Sequence, residues 1–168
     1  MKLLKPTTEH KGKALAYRQA HFDAGERAID GDNGLDDAAT YEEWLTHLEE
    51  MEAGGHEFLI PSSTYFAVVD DEFVGVVDIR HRLNDGLLKA GGHVGYSTHP
   101  SHRRKGYATE ILRLALEKCR EMGIYKVLVT CNKDNIGSQK TILSNGGILE
   151  NEHLCESGVT ILRYWIEV

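Results

Sequence analysis

The chain has 168 residues, 41% hydrophobic and 27% charged, with 19 Lys and Arg against 26 Asp and Glu and a formal net charge of -7. That length fits one domain of about 100–200 residues with a real core, and the composition excludes a disordered or fibrous chain. The acidic balance opposes broad nucleic-acid binding, which needs a basic face to neutralise phosphates.

Leu3 and Leu4 suit a short strand that Pro6 closes. Thr7 to about Glu26 lacks further proline and carries Ala14, Leu15, Arg18 and Phe22 at helical spacing. Gly31 to Asp37, rich in Gly, Asp and Asn, reads as a loop. Thr40-Tyr41-Glu42-Glu43 is a capping-box pattern. The helix it opens carries Trp44, Leu45, Leu48 and Met51 on one face and stops at Gly54-Gly55. The period changes at Thr64, where Tyr65–Val69 and Phe73–Ile79 flank Asp70-Asp71-Glu72 as a β-hairpin. Asn84 to Gly92 is a loop with room for one helical turn, and His93 to Thr98 is a third strand stopped by Pro100. Thr109 to Met122 is the clearest helix: Ile111, Leu112, Leu114, Ala115, Leu116 and Cys119 give it a wide apolar face, and Gly123 ends it. Tyr125 to Cys131 reads as a strand covered on both faces. A helix over Ile136–Ser144 ends at Asn145-Gly146-Gly147, and strands near Ile148–Leu154 and Val159–Glu167 follow. This order predicts an α/β (α+β mixed sheet) layer sandwich, one domain over 1–168. The apolar tail Ile161–Val168 is either a buried strand or part of a homodimer sheet.

The net charge averages two opposed regions. Residues 21–57 hold 12 acidic side chains and one strong base, Arg27, a local balance of -11, while the rest of the chain is +4. His102 to Lys126 holds seven basic and three acidic residues. Two solvated helix faces would account for this, and so would an anion site near a place that favours a cation. Cys119, Cys131 and Cys155 are odd in number and form no CxxC pair, so a reducing cytoplasm is the simplest setting. The N-terminus has no signal-peptide pattern, and no stretch approaches the roughly 20 apolar residues of a membrane span.

The stretch that carries chemistry is His99-Pro100-Ser101-His102-Arg103-Arg104-Lys105-Gly106-Tyr107-Ala108-Thr109. A strand ends, a cationic turn follows, and a long helix begins. The first amides of a helix lack intrahelical partners, and the helix dipole places positive partial charge at the same end. Gly106 lets the backbone approach a ligand closely. A pyrophosphate suits this best. Neither GxxxxGK[ST] nor GxGxxG occurs, so what remains is Arg-x-x-Gly-x-Ala after a strand.

Arg103-Arg104-Lys105-Gly106-Tyr107-Ala108 resembles the acetyl-CoA pyrophosphate loop, (Arg/Gln)-x-x-Gly-x-(Gly/Ala), of the GNAT superfamily of N-acetyltransferases. The strand Val94–Thr98 before it, the helix after it, the strand Lys126–Thr130 and then Asn135, Ser138 and Gly146 extend the resemblance over about 92–150. More narrowly, Ile79–Asn84 with Gly91–Tyr96 resembles a bacterial subgroup of predicted acetyltransferases. The resemblance implies a GNAT-like fold: a central, mostly antiparallel twisted sheet with a parallel splayed strand pair, flanked by helices. It implies acetyl-CoA as co-substrate, no metal, and a small-molecule or peptide amine as acceptor. The main chain along Tyr96, Ser97 and Thr98 would pair with the pantetheine arm. The amides and cations of Arg103, Arg104, Lys105, Gly106, Tyr107, Ala108 and Thr109 would hold the pyrophosphate. Asn135 and Ser138 would bind the far side of the arm.

Two departures bear on catalysis. Many members place a Tyr seven residues after the Asn as general acid, and here that position is Ile142. Many use a Glu base on the strand equivalent to 91–96, and no carboxylate lies between Lys89 and Thr109. A base for an ammonium works best with a pKa near 7, so His93 is the first candidate and His81 the second. Tyr96, Ser138 and Cys131 are candidate proton donors, and Cys131 is a nucleophile only in principle. Each of these side chains also has a plain packing reading. His93, His99 and His102 form no HExxH or comparable set, so no metal site is expected. The leading reading is direct attack of an amine on the thioester. A catalytically silent CoA-binding sensor, suggested by Ile142, and a domain for another nucleotide such as ATP are the alternatives. The acidic N-terminal region would favour a cationic acceptor if it faces the acceptor groove.

Overall fold

Among the described residues, seven strands make two antiparallel sheets that meet along one seam. In the computed structural model, which describes residues 1–54 and 59–168, the first sheet is ordered β1-β2-β3-β4 and the second β5-β7-β6. The first comprises β1 (Lys2–Leu4), β2 (Ser62–Val69), β3 (Glu72–Arg80) and β4 (Val94–Thr98). The second comprises β5 (Lys126–Asn132), β6 (Ile148–Leu154) and β7 (Thr160–Glu167). The helices are α1 (Lys11–Asp23), α2 (Tyr41–Glu52), α3 (Asp85–Ala90), α4 (Tyr107–Glu121) and α5 (Ile136–Ser144). The expected single mixed sheet is therefore two sheets. They adjoin where β4, α4 and β5 form the strand–helix–strand crossover that parallel neighbours require. β7 lies between β5 and β6, so both of its edges are filled within the chain.

The hairpin turn explains the register of β2 and β3. Asp70 and Asp71 both take positive φ, 47° and 67°, which matches the right-handed twist of the strands they join. Nearly every residue of both strands is buried, because both faces of the sheet are covered. On one face Ile111, Leu112, Ala115 and Cys119 of α4 pack against Ala67, Val74, Val77 and Ile79. On the other, Ala14 and Tyr17 of α1 and Tyr41 and Trp44 of α2 pack against Phe66, Val68 and Val76.

The α1 face differs from the spacing reading. Ala14, Tyr17 and His21 are the buried positions, while Phe22 is 36% exposed. The Tyr17 hydroxyl bonds Ser97 Oγ and His21 Nδ1 bonds Glu26, which offsets part of the cost of burying them, while the buried His21 Nε2 has no partner among the described residues. Helix α2 begins as expected, with Thr40 Oγ1 accepting from the Glu43 amide at 3.2 Å. Gly54 follows it at φ 79°; Gly55, the other half of the expected stop, lies outside the described residues.

Candidate active site

The seam between the sheets opens at one histidine. By the β3–β4 register, His93 and alternate residues after it bond back to β3: the Arg80 amide donates to the His93 carbonyl at 2.8 Å, and the His99 amide donates to the Val74 carbonyl at 2.9 Å. The His93 amide points the other way and donates to the Leu128 carbonyl of β5 at 2.7 Å. The Leu128 amide then has no carbonyl of β4 to meet. His93 supplies the acceptor from its side chain, Nδ1 taking the Leu128 N–H at 2.9 Å. Beyond this pair no backbone hydrogen bond joins β4 to β5 among the described residues. The alternation leaves the main chain of Tyr96 and Thr98 facing the gap. Burial, and to a lesser degree the Arg80 cation, hold His93 down to about 4.

The cationic turn stands at the wide end of this gap. Helix α4 begins at Tyr107, two residues before the sequence expectation, because Gly106 caps it in the left-handed region at φ 81°. α2, α3 and α5 each have a side-chain cap, from Thr40, Asn84 and Asn135. α4 has none, so the amides at its start lack a side-chain partner among the described residues. Arg104 also sits in the left-handed region, φ 64°, a costly state for a side-chain-bearing residue. The three cations divide their work. Arg103 is held by Glu26 through two bonds of 2.5 and 2.7 Å, and its Nε donates to the Thr98 carbonyl at 3.3 Å. Arg104 and Lys105 make no ion pair among the described residues.

The far wall is α5. Asn135 accepts from the Ser138 amide at 3.0 Å, and the Ser138 hydroxyl meets the Tyr96 hydroxyl at 2.8 Å across the gap. Burial pushes the Tyr96 phenol up to about 12, against the lowering effect of the Ser138 hydrogen bond. Burial likewise raises the Cys131 thiol, which keeps it protonated and unsuited to nucleophilic attack. Ile142 is 0% exposed, locked in the core below α4. His81 meets Ser63 Oγ at 2.9 Å, at the far end of β3.

A cavity of about 590 Å³ gathers these pieces. Its lining holds Tyr96, Ser97, Thr98, Arg103, Arg104, Gly106, Tyr107, Ala108, Thr109, Asn135 and Ser138. His93 and Lys105 are not part of it. Sequence reasoning missed the opposite lip, formed by Glu26, Ala28, Ile29 and Asp30 of the α1–α2 loop, together with His21. The acidic region does not face the cavity as a body. Asp32 accepts from the Gly34 and Asp36 amides inside its own loop, Glu42 pairs with Lys11, and Glu52 pairs with Lys5. Among the described residues, only Glu26 and Asp30 of its carboxylates line the cavity. Among the described residues no three His, Cys, Asp or Glu side chains are placed to hold a metal ion, and no helix is long and apolar enough to cross a membrane.

An uncapped, cation-flanked helix start beside two splayed strands is an arrangement suited to a pyrophosphate at one end of a slot and an extended arm along the open strand edge. The chain belongs to the family described as the acetyltransferase (GNAT) domain, whose model matches residues 4–148. It is 40% identical over 98 residues to an uncharacterized N-acetyltransferase, YjdG, of Bacillus subtilis (strain 168). The match covers 56% of this chain and 51% of that protein, so the chain spans about half the length of this curated relative. Among solved structures, the fold is similar to a ribosomal-protein-S5-alanine acetyltransferase from Vibrio fischeri, with a TM-score of 0.74 at 15% identity, covering 99% of this chain and 91% of that one. It is also similar to the microcin C7 self-immunity acetyltransferase MccE in complex with acetyl-CoA and AMP, with a TM-score of 0.68 at 17% identity, covering 99% and 91%.

Proposed function

We propose that the protein, acting as one domain over 1–168, is an acetyl-CoA-dependent N-acetyltransferase in which a primary amine attacks the thioester carbonyl directly. The observation that carries this reading is the meeting, in one cavity, of the uncapped α4 turn and the open edge of β4. The amides from Arg104 to Thr109 hold the pyrophosphate. The main chain of Tyr96 and Thr98 pairs with the pantetheine arm, and Asn135 and Ser138 flank its far side. Main-chain donors at the splay polarise the thioester carbonyl. Ile142 is core and gives no proton, and the Tyr96–Ser138 pair supplies a hydroxyl from the opposite wall in its place. His93 acts as a strut that sets where the strands part, not as a base: its Nδ1 is engaged, and a pKa near 4 is far from the optimum for proton abstraction at pH 7.

Solved relatives named as acting on ribosomal proteins support a peptide amine among the acceptors, and a small-molecule amine fits the same slot. Calorimetric titration with CoA, followed by thiol release from acetyl-CoA with peptides bearing a free N-terminal Ser or Ala, tests the reading. Arg104→Glu combined with Gly106→Glu is expected to weaken CoA binding by about 100-fold or more, since it places charge against the anion and fills the close approach. Unchanged affinity would put the site elsewhere. The buried Ile142 favours one second reading, a CoA-binding sensor without turnover. Tight CoA binding with no thiol release across a wide amine panel would select it.

A further inference from the structure

The mechanism above leaves the proton of the acceptor without a taker. A primary amine near pH 7 is mostly an ammonium and must lose a proton before its lone pair can reach a carbonyl carbon. His93 is turned to Leu128. Glu26 lines the cavity, but its carboxylate already accepts from Arg103 through both oxygens and meets His21 Nδ1 at 2.8 Å. Asp30 lines the same cavity and makes no hydrogen bond or ion pair among the described residues.

The loop holds Asp30 in place by backbone contact. A side-chain carbon on Gly31 would stand 2.2 Å from the Gly95 carbonyl oxygen and 2.7 Å from the Tyr96 amide nitrogen, so the loop rests directly on β4. Gly31 also takes φ 78°, which excludes most other residues. Below the crossing, a side chain on Gly95 would meet the Arg80 guanidinium at 3.2 Å. On the far side of the loop the Trp44 indole donates to the Asp32 carbonyl at 3.0 Å. Asp30 is thus held beside the residues of β4 whose open edge faces the slot.

We propose that Asp30 receives the acceptor ammonium and takes its proton. The inference rests on the acetyltransferase reading and deepens it. The Asp30 carboxylate removes one N–H proton, and the freed lone pair forms the C–N bond to the thioester carbonyl carbon. The C–S bond breaks with its electron pair on sulfur, and the surplus nitrogen proton reaches sulfur through the Tyr96 hydroxyl. Asp30 then gives its proton to water, so one ammonium and one thioester become one amide, one thiol and one proton. An isolated carboxylate at this place selects acceptors whose neighbouring groups are neutral or cationic, such as diamines or peptide N-termini. A free α-amino acid would bring its own carboxylate against Asp30.

The groups acting on Asp30 are Arg80 beneath Gly95, Glu26 and Asp36 of its own loop, and Tyr96 of β4. The protein around the carboxyl raises its pKa by desolvation, Arg80 draws it down, and Glu26 and Asp36 push it up. Transfer should therefore rise with pH through an acid limb that belongs to Asp30.

The test compares wild type, Asp30→Asn and Asp30→Glu in thiol release from acetyl-CoA with two probes, a free N-terminal Ser peptide and butane-1,4-diamine. Asp30→Asn is expected to lose about 100-fold in kcat/KM and the acid limb, with CoA affinity unchanged, while Asp30→Glu keeps an acid limb. Wild-type rates and an intact limb in Asp30→Asn overturn the inference alone. Failure of the wild type to bind CoA overturns the acetyltransferase reading and the inference with it. If the wild type binds CoA but releases thiol with neither probe, titration of the CoA complex with butane-1,4-diamine decides. Binding about 10-fold weaker in Asp30→Asn supports the assignment, and equal or absent binding overturns it.

Discussion

Where β4 begins, it is tied on three sides: Arg80 holds its carbonyl from β3, His93 and Leu128 exchange two hydrogen bonds across the seam, and Gly31 lies on Gly95 from above. Past Gly95 the strand keeps β3 but, among the described residues, has no hydrogen-bonded partner on β5, and the cavity opens there. A fork with one arm free is useful only if its crotch does not move, because reacting atoms must be held within a fraction of an ångström. The tight end is what makes the loose end a defined slot.

Breaking the tight end from above should have the largest effect. Gly31→Ala puts a carbon against the Gly95 carbonyl in a backbone region hostile to side chains. A loss of about 2–3 kcal/mol, seen as a drop of several degrees in Tm, is expected together with loss of transfer. An unchanged melting curve would mean that the loop does not rest on the strand.

Breaking it from the side comes next. His93→Ala leaves the Leu128 amide without its acceptor, at about 1–3 kcal/mol by urea unfolding. The pH dependence sharpens the point. A histidine held near 4 when folded, against about 6.5 when unfolded, contributes stability fully above 6.5 and loses it as pH falls toward 4. His93→Ala should flatten that part of the profile, and an unaltered slope between pH 7 and pH 5 would refute the strut.

At the loose end, Tyr96→Phe removes the hydroxyl that meets Ser138 and should cut kcat by about 10- to 100-fold with CoA affinity intact. A parallel loss of CoA affinity would make Tyr96 part of the binding wall alone. The smallest effect belongs to Glu26→Gln. The Arg103 guanidinium holds the Glu26 carboxyl down at about 2, so the pair stabilises above the unfolded value near 4.5 and fades as pH falls toward 2. With both partners over a third exposed or nearly so, about 1 kcal/mol or less is expected in denaturant titrations, diminishing in salt.

The loose end was the legible one. The phosphate turn is contiguous: strand, cations, glycine and helix follow one another, so local rules suffice, and α5 with its Asn135 cap falls on the expected residues. The pattern places the start of α4 at Thr109, two residues late, because a glycine after a cationic turn does not by itself show that it is the helix cap. The tight end depends on contacts between distant segments. Nothing in the local pattern says that the His93 ring will replace a carbonyl of β4, or that Gly31 must lie on Gly95. In the sequence Asp30 is one acid among the twelve of residues 21–57, and only the fold separates it from Asp32, which its own loop engages, and from Glu42, which Lys11 pairs.

The Glu26–Arg103 clamp joins the loop that carries Asp30 to the turn proposed to hold the pyrophosphate. The two walls of the slot are thereby thermodynamically linked. If occupation of one wall strains or relaxes that clamp, the factor by which CoA changes affinity for the acceptor must equal the factor by which the acceptor changes affinity for CoA. A single bidentate contact is therefore a place where cooperativity between the two substrates can be set and retuned.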